Sequence, residues 1–314
     1  MKGKVLKSTG KWYIVELEDG TIVNCRIRGK MRLDGLRTTN PVAAGDNVLV
    51  DEEEDGEGNR TISSIEKRSN YIVRKSTNLS KQMQILAANV DRAYLLVTIK
   101  NPVTHLAFID RFLVSAESFR IPVTILFNKI DLYDEDELEY AQALAFMYKS
   151  IGYETHLIKA EHPETIAFLK EEIKGNQVMI SGHSGVGKST LVNGLDPNLD
   201  LRTGEISDAH FQGKHTTTFA EMHQLASGGY IIDTPGIRAF GITEIEKEHI
   251  SHYFPEMRER LNQCKFHNCK HLNEPKCAIK DAVEADEIFE SRYQTYYQLM
   301  TEDSSEIHRT KTEY

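Results

Sequence analysis

Cysteine is scarce in this chain, four residues in 314, too few for a disulfide framework at this length. Three of them (Cys264, Cys269 and Cys277) crowd into one short stretch, while Cys25 stands alone in a strand-like run. In a reducing compartment that clustering indicates metal ligation before it indicates a disulfide, and Cys25 is expected as a small apolar strand residue. Long apolar runs are missing too, and none is able to cross a bilayer. The opening MKGKVLKSTGKWY has no signal-peptide core. A surplus of positive charge is also lacking. The formal charge of −9 argues against polyanion binding over the whole surface, though it leaves room for a local basic patch. With 40% hydrophobic and 27% charged residues, a packed, soluble, cytoplasmic protein is expected, with no membrane partner. Nothing suggests a symmetric interface, so a monomer is expected.

What is present falls into modules. Residues 1–72 alternate apolar and polar positions, with turns at Gly10 and Asp19-Gly20. About five short strands of this kind predict an all-β barrel of the OB type. Residues 73–88 are polar and aperiodic and are expected to form a linker. From 89 to 243, apolar runs (AYLLVTI, VTILF, ETHLI, QVMIS) alternate with helical patterns, which predicts an α/β domain around a parallel sheet. Residues 244–300 are expected to form a mainly helical, metal-binding module ending in an aromatic-bearing helix. The tail, 301–314, is polar enough to be disordered. Two acidic runs, DEEEDGE and DEDELE, are expected as solvated loops.

SGHSGVGKST, Ser181 to Thr190, holds Gly182, Gly187, Lys188 and Ser189 in the G-x-x-x-x-G-K-[ST] spacing, with Ser184, Gly185, Val186 and Thr190 filling the loop. Glycines let successive N–H groups converge on phosphate oxygens. Lys188 adds charge at the β- and γ-phosphates, and the Ser189 hydroxyl can ligate Mg²⁺. The strand QVMIS in front and the helix-like KSTLVNGL behind supply the context that the spacing needs. YIIDTPG ends a second strand at Asp233, whose carboxylate can hold Mg²⁺ through water, and the Gly236 N–H can meet a γ-phosphate. In GKHTTT, a threonine can complete the Mg²⁺ shell. Thr217 is the first choice, with Thr216 and Thr218 open.

NKID, at Asn128 to Asp131, lies at the end of the strand VTILF. Asp131 can accept from the N1–H and exocyclic amine of guanine. Adenine has no such donor pair, and it would leave the carboxylate unpaired. Asn128 can bond the far edge of the base, and the stem of Lys129 can lie along its face. Ala160 in the next loop fits a further guanine contact. Lys159, where a serine is usual, does not. GTP is therefore the expected nucleotide, yet its base reader precedes its phosphate loop. Ligands of open α/β sheets bind at the carboxyl ends of the strands wherever those strands fall in sequence. Cutting before AYLLVTI and joining the old ends leaves such a site intact, so the order is a circular permutation. The segment after DTPG then runs straight into the cysteine module, and it is expected to relay the nucleotide state there.

The permuted order, the preceding barrel and the cysteine–histidine cluster together resemble the ribosome small-subunit-dependent GTPase family (RsgA, also called YjeQ), over about Gly3 to Met300. The resemblance implies an OB barrel, a permuted GTPase domain and a zinc-binding C-terminal domain. It also implies a role in late maturation of the small ribosomal subunit, with GTP hydrolysis triggered by that particle.

CKFHNCKHLNEPKC offers Cys264, Cys269 and Cys277 plus an imidazole from His271 or His267, a tetrahedral structural set for one zinc ion. The family pattern favours His271. Arg26, Arg28, Lys30, Arg32 and Arg37 stand against Asp34 alone, and on the implied barrel that patch suits ribosomal RNA. Two competing readings remain, a free-standing NTPase and an RNA-binding scaffold that only senses GTP or GDP. The latter draws on the residue after DTPG, Ile237, which cannot orient water as the glutamine of a Ras-like enzyme does. Slow intrinsic turnover is expected, with Lys188 and Thr217 at the phosphates and His215 as the in-chain group able to reach the water. Replacing His215 by alanine should abolish partner-stimulated turnover and leave GDP affinity intact; stimulation that persists refutes the assignment.

Overall fold

A computed structural model describes residues 1–27, 41–75, 83–199, 220–233 and 245–302. The barrel is built from β1 (Lys2–Ser8), β2 (Tyr13–Leu17), β3 (Ile22–Ile27), β4 (Asn47–Val50) and β5 (Arg60–Ile65). β1 pairs with β2, β2 with β3, β3 in parallel with β5, β5 with β4, and β4 back with β1. The ring therefore closes, which removes free edges. Alternation turns Val5, Tyr13, Val15, Cys25, Val48 and Ile62 inward. Burial pushes the Cys25 thiol up to about 11, so it is inert packing, as expected.

The stretch expected as a linker is instead paired. β6 (Tyr71–Lys75) and β7 (Met83–Ala88) form an antiparallel hairpin in which Ile72 faces Ala87 and Val73 faces Ile85. Its few apolar residues do not alternate. Ile72, Leu86 and Ala87 are buried by the neighbouring domain core, so the pairing depends on tertiary contacts that local periodicity does not record.

The central sheet contains β8 (Arg92–Val97), β9 (Val123–Phe127), β10 (Glu154–Leu157), β11 (Gln177–Ser181), β12 (Glu221–Gln224) and β13 (Tyr230–Asp233). Across the sheet the order is β10-β9-β8-β11-β13-β12. All of these pairings are parallel except that of β12, which is antiparallel to β13. The strands read as continuous apolar runs because both faces are covered. Leu95, Val97, Ile125 and Phe127 pack under α1 (Leu106–Ser118) and α2 (Glu135–Ile151). Their neighbours Leu96 and Leu126 pack under α3 (Pro163–Ile173) and α4 (Lys188–Leu195). DEDELE is not a loop. Asp134 accepts from the Glu137 N–H, Glu137 answers at the Asp134 N–H, and Glu135 and Asp136 join Glu137 in the first turn of α2. The run is a capping box placed against the positive end of the helix dipole.

β12 had no sequence signal, being short and mostly polar. It joins the barrel to the central sheet: Lys7 of β1 pairs with Glu221 in the ladder, and their side chains form a 2.6 Å ion pair. Nearby, the Tyr230 hydroxyl donates to Glu16 at 2.7 Å.

The C-terminal module is helical, as expected. A 3-10 stretch at Lys247–Tyr253 leads to α5 (Pro255–Arg258), α6 (Ala278–Glu284) and α7 (Glu290–Thr301). Ile250, Phe254, Met257, Ile279 and Leu299 share one core with Val114 of α1. Through that core runs an ion network. Arg292 of α7 is fully buried and donates to Asp110 of α1 at 2.7 Å and to Glu256 at 2.7 Å, over the Phe254 ring. Asp110 also accepts from Tyr148 at 2.9 Å and Thr295 at 2.8 Å. Burial opposes the Arg292 charge, but Asp110 and Glu256 outweigh it and hold its pKa well above the usual value. Arg292→Ala leaves two carboxylates buried and unpaired and should cost about 3–5 kcal/mol. Arg258→Ala, which breaks the open pair to Glu117, should cost under ~1 kcal/mol. Denaturant unfolding of the two variants checks the contrast.

Candidate nucleotide site and metal centre

The parallel strands end on one side of the sheet, where their loops converge. β11 runs into the phosphate loop, whose last glycine caps α4. Gly187 has φ 104°, and a Cβ there would lie 2.4 Å from Asn128 Nδ2. Gly182 has φ 142°, and its Cβ would lie 2.4 Å from the Leu96 carbonyl. Both positions demand glycine on conformation and on space. Ser184 and Gly185 are exposed, Val186 is buried, and Lys188, Ser189 and Thr190 lie half-buried at the helix start. Lys188 Nζ donates to the carbonyls of Gly182 at 2.8 Å and His183 at 2.5 Å, which folds the ammonium back over the loop. The positive end of α4 and the converging N–H groups suit a polyphosphate. The His183 ring stacks on Phe108 of α1 at 3.8 Å.

β9 delivers the base reader. Asn128 is 2% exposed. Its Nδ2 donates to the Val186 carbonyl at 2.8 Å, and its Oδ1 accepts from the Ala160 N–H at 2.9 Å. Both ends of the amide thus clip the reader to the phosphate loop and to the Ala160 loop. Lys129 adopts a left-handed φ of 67° and donates to the Asn101 carbonyl at 2.5 Å. This turn brings Asp131 to the rim, half-exposed, with Lys159 Nζ 3.6 Å from its Oδ2. Tyr133 braces the loop from below: its hydroxyl donates to the Asn128 carbonyl at 2.6 Å and accepts from the Ile99 N–H at 2.9 Å. Sequence reasoning missed Tyr133, which belongs to no motif, and found in Lys159 only a departure from pattern.

The structure brings together Asn128, Lys129, Asp131, Ala160 and the loop from Gly182 to Thr190. Asp233 ends β13 beside β11. Its side chain, together with Gly236, His215 and the threonines Thr216, Thr217 and Thr218, lies outside the described residues. Ser189 is thus the Mg²⁺ candidate whose side chain is described. Of the basic patch, Arg26 is described; Arg28, Lys30, Arg32 and Arg37 lie outside.

The metal set assembles without His267. One ligand atom each from Cys264, Cys269, His271 and Cys277 lies within 4.8 Å of all the others. His271 Nδ1 is 3.5 Å from Cys264 Sγ and 3.4 Å from Cys277 Sγ. Zinc bonds of about 2.0–2.3 Å in a tetrahedron require ligand separations of roughly 3.5–3.8 Å, so the donor set fits the ion. His271 is placed by a left-handed φ of 55° and by the Tyr293 hydroxyl, which donates to its carbonyl at 2.7 Å. The Glu274 carboxylate accepts from the N–H groups of Lys270, Leu272 and Asn273 and so holds the knuckle. Burial, together with the neighbouring Cys277 and Cys264 sulfurs, pushes the Cys269 thiol up to about 12. A divalent cation supplies the charge that such thiolates need.

A P-loop at the end of one strand, a guanine reader on an earlier one and an antiparallel edge strand define a circularly permuted P-loop GTPase, here with a barrel before it and a Cys₃His module after it. Comparison with known proteins agrees. The family model described as RsgA GTPase matches residues 65–243, and the RsgA N-terminal domain matches residues 2–59. The chain belongs to the RsgA GTPase family. It is 53% identical over 301 residues to the small ribosomal subunit biogenesis GTPase RsgA of Christiangramia forsetii, covering 96% of each chain. It is 53% identical over 306 residues to the protein of that name in Bacteroides fragilis, covering 98% of each. The crystal structure of YjeQ from Thermotoga maritima superposes with a TM-score of 0.78 at 36% identity, covering 96% of this chain and 99% of that one. YloQ, a circularly permuted GTPase, does so at 0.73 and 31%, covering 100% and 96%. The chain is a GTP-hydrolysing enzyme that uses GTP, GDP and Mg²⁺, with a site fitted to structural zinc. Elemental analysis should find one zinc per chain, lost in His271→Ala and retained in His267→Ala. Loss in the latter alone would reverse the ligand assignment.

Proposed function

We propose that this GTPase docks on the small ribosomal subunit, assists its late maturation and turns over GTP faster when docked. The observation that carries the reading is the end-to-end match, over barrel, permuted domain and cysteine module alike, to relatives named for small-subunit biogenesis. Modules at 1–72, 89–243 and 244–300 divide the work, and the hairpin strands Tyr71–Lys75 and Met83–Ala88 lie where the first two meet. Lys188, Ser189, Thr217 and Asp233 hold phosphate and Mg²⁺, Asp131 reads guanine, and His215 addresses the water. It acts as a cytoplasmic monomer; among the described residues no helix is long and apolar enough to cross a membrane.

Arg26 supports an RNA-facing barrel. Its guanidinium lies 3.9 Å from the centre of the Trp12 ring and 3.1 Å from Glu57 Oε2. That pair is well exposed and weak, so a phosphate can displace Glu57 while Trp12 keeps the arginine in place.

The relay to the C-terminal module gains a second leg beyond the segment after DTPG. The loop from Thr98 to His105 touches the base reader through Asn101 and continues into α1, whose Phe108 stacks on His183 and whose Asp110 holds Arg292. α1 therefore stands between the phosphate loop and the cysteine module.

GTP turnover measured alone, with purified small subunits and with large subunits tests the proposal. Strong stimulation by the small subunit only is the expected outcome. Tight GTP binding with no stimulation by either particle would sink it and leave a nucleotide-sensing scaffold.

A further inference from the structure

Lys159 stands where a serine is usual. It follows β10, in the loop whose next residue, Ala160, is clipped to Asn128. Its backbone is fixed as well: the preceding Ile158 N–H donates to the Phe127 carbonyl at 2.7 Å, and the Lys159 carbonyl accepts from the His162 N–H at 2.9 Å. With the main chain held at both ends, the side chain reaches across to Asp131, Nζ to Oδ2 at 3.6 Å. Both side chains are roughly 40% exposed, 43% and 38%, so each has its body against the protein and its charge at the rim. Among the described residues, this is the ion pair formed by the base-reading carboxylate.

Asp131 has a demanding task. To accept from two donors on one edge of guanine, both oxygens must lie in the plane of the base and must carry charge. A half-exposed aspartate on a short 3-10 turn is otherwise free to rotate about its side-chain torsions, and fixing it costs entropy when the base arrives. A cation on one oxygen reduces that cost in advance. It also offsets the loss of water around the carboxylate when the base covers it.

We infer that Lys159 is a positioning residue for guanine specificity: its ammonium pre-orients the Asp131 carboxylate for the two-donor edge of the base. The inference rests on the reading of Asp131 as the guanine acceptor. Its effect should be larger for a base with two donors than for one with a single donor. Hypoxanthine, which has the N1–H but no exocyclic amine, supplies that comparison.

The experiment uses the full-length protein, with GDP and IDP affinities measured for the wild type, Lys159→Met and Lys159→Arg. A partly exposed pair of this kind is worth about two- to five-fold in affinity. Lys159→Met should weaken GDP by about that factor, weaken IDP less, and so lower the GDP-to-IDP ratio. Lys159→Arg should restore the ratio. High salt should carry the wild type toward the methionine variant, since the pair is open to screening. In an Asp131→Ala background, Lys159→Met should change nothing further. Equal weakening of GDP and IDP would overturn the inference by showing that Lys159 acts as a general charge near the nucleotide. Unchanged affinities would overturn it outright. A wild type that binds GDP no better than IDP would instead remove Asp131 as the base reader, a distinct failure.

Discussion

The amide of Asn128 is the fastener of this molecule's nucleotide site. It sits at the end of a fully buried strand, and each of its polar ends holds a different loop, Val186 in the phosphate cradle and Ala160 beside the base. The buried position leaves it no water to fall back on, so losing either contact leaves a polar group unpaired in the interior. The same closeness explains why Gly187 can have no side chain, since a Cβ there would lie 2.4 Å from the amide nitrogen. Order of the elements along the chain is irrelevant to such a clip. Three loops that meet at the carboxyl ends of strands in one sheet can be fastened whichever comes first in sequence, and this is why the permuted chain keeps an intact site.

Permutation does alter what adjoins the site. α1 leaves the sheet beside the phosphate loop, packs on it through Phe108 and His183, and presents Asp110, Val114 and Glu117 to the cysteine module. The barrel meets the opposite edge of the same sheet through β12. The two flanking modules therefore grip the GTPase domain at separate places, one along a helix face and one along a strand edge.

Much of this was legible from the residues. Both faces of the central strands are covered, so they appear as unbroken apolar runs such as VTILF, and the phosphate loop and base reader are set by chemistry that tolerates few substitutions. The cysteine cluster was legible for the same reason; the resemblance already favoured His271 over His267, and the geometry agrees. The hairpin at 71–88 and the strand β12 were not legible, because their pairing is stabilised by distant partners and their own sequences do not alternate cleanly. DEDELE misled because acids at a helix start look like a solvated loop until the reciprocal Asp134–Glu137 bonds are seen. Lys159 shows a further limit: a departure from pattern marks a position without saying which residue across the site it will meet.

The Asp110–Arg292 contact spans 182 residues of chain, and this has a consequence for how the protein is made. At about 5–20 residues per second, α1 leaves the ribosome roughly 10–40 s before the arginine that neutralises its buried carboxylate. In that interval α1 can pack into the GTPase core through Ile109, Phe112 and Leu113, but its Asp110 face has no arginine to meet, so the seam with the C-terminal module closes only once α7 is made. A product broken off before residue 292 keeps that face open to proteases, whereas a chain that includes α7 closes it. The network thus makes durability in the cell depend on synthesis having passed Arg292.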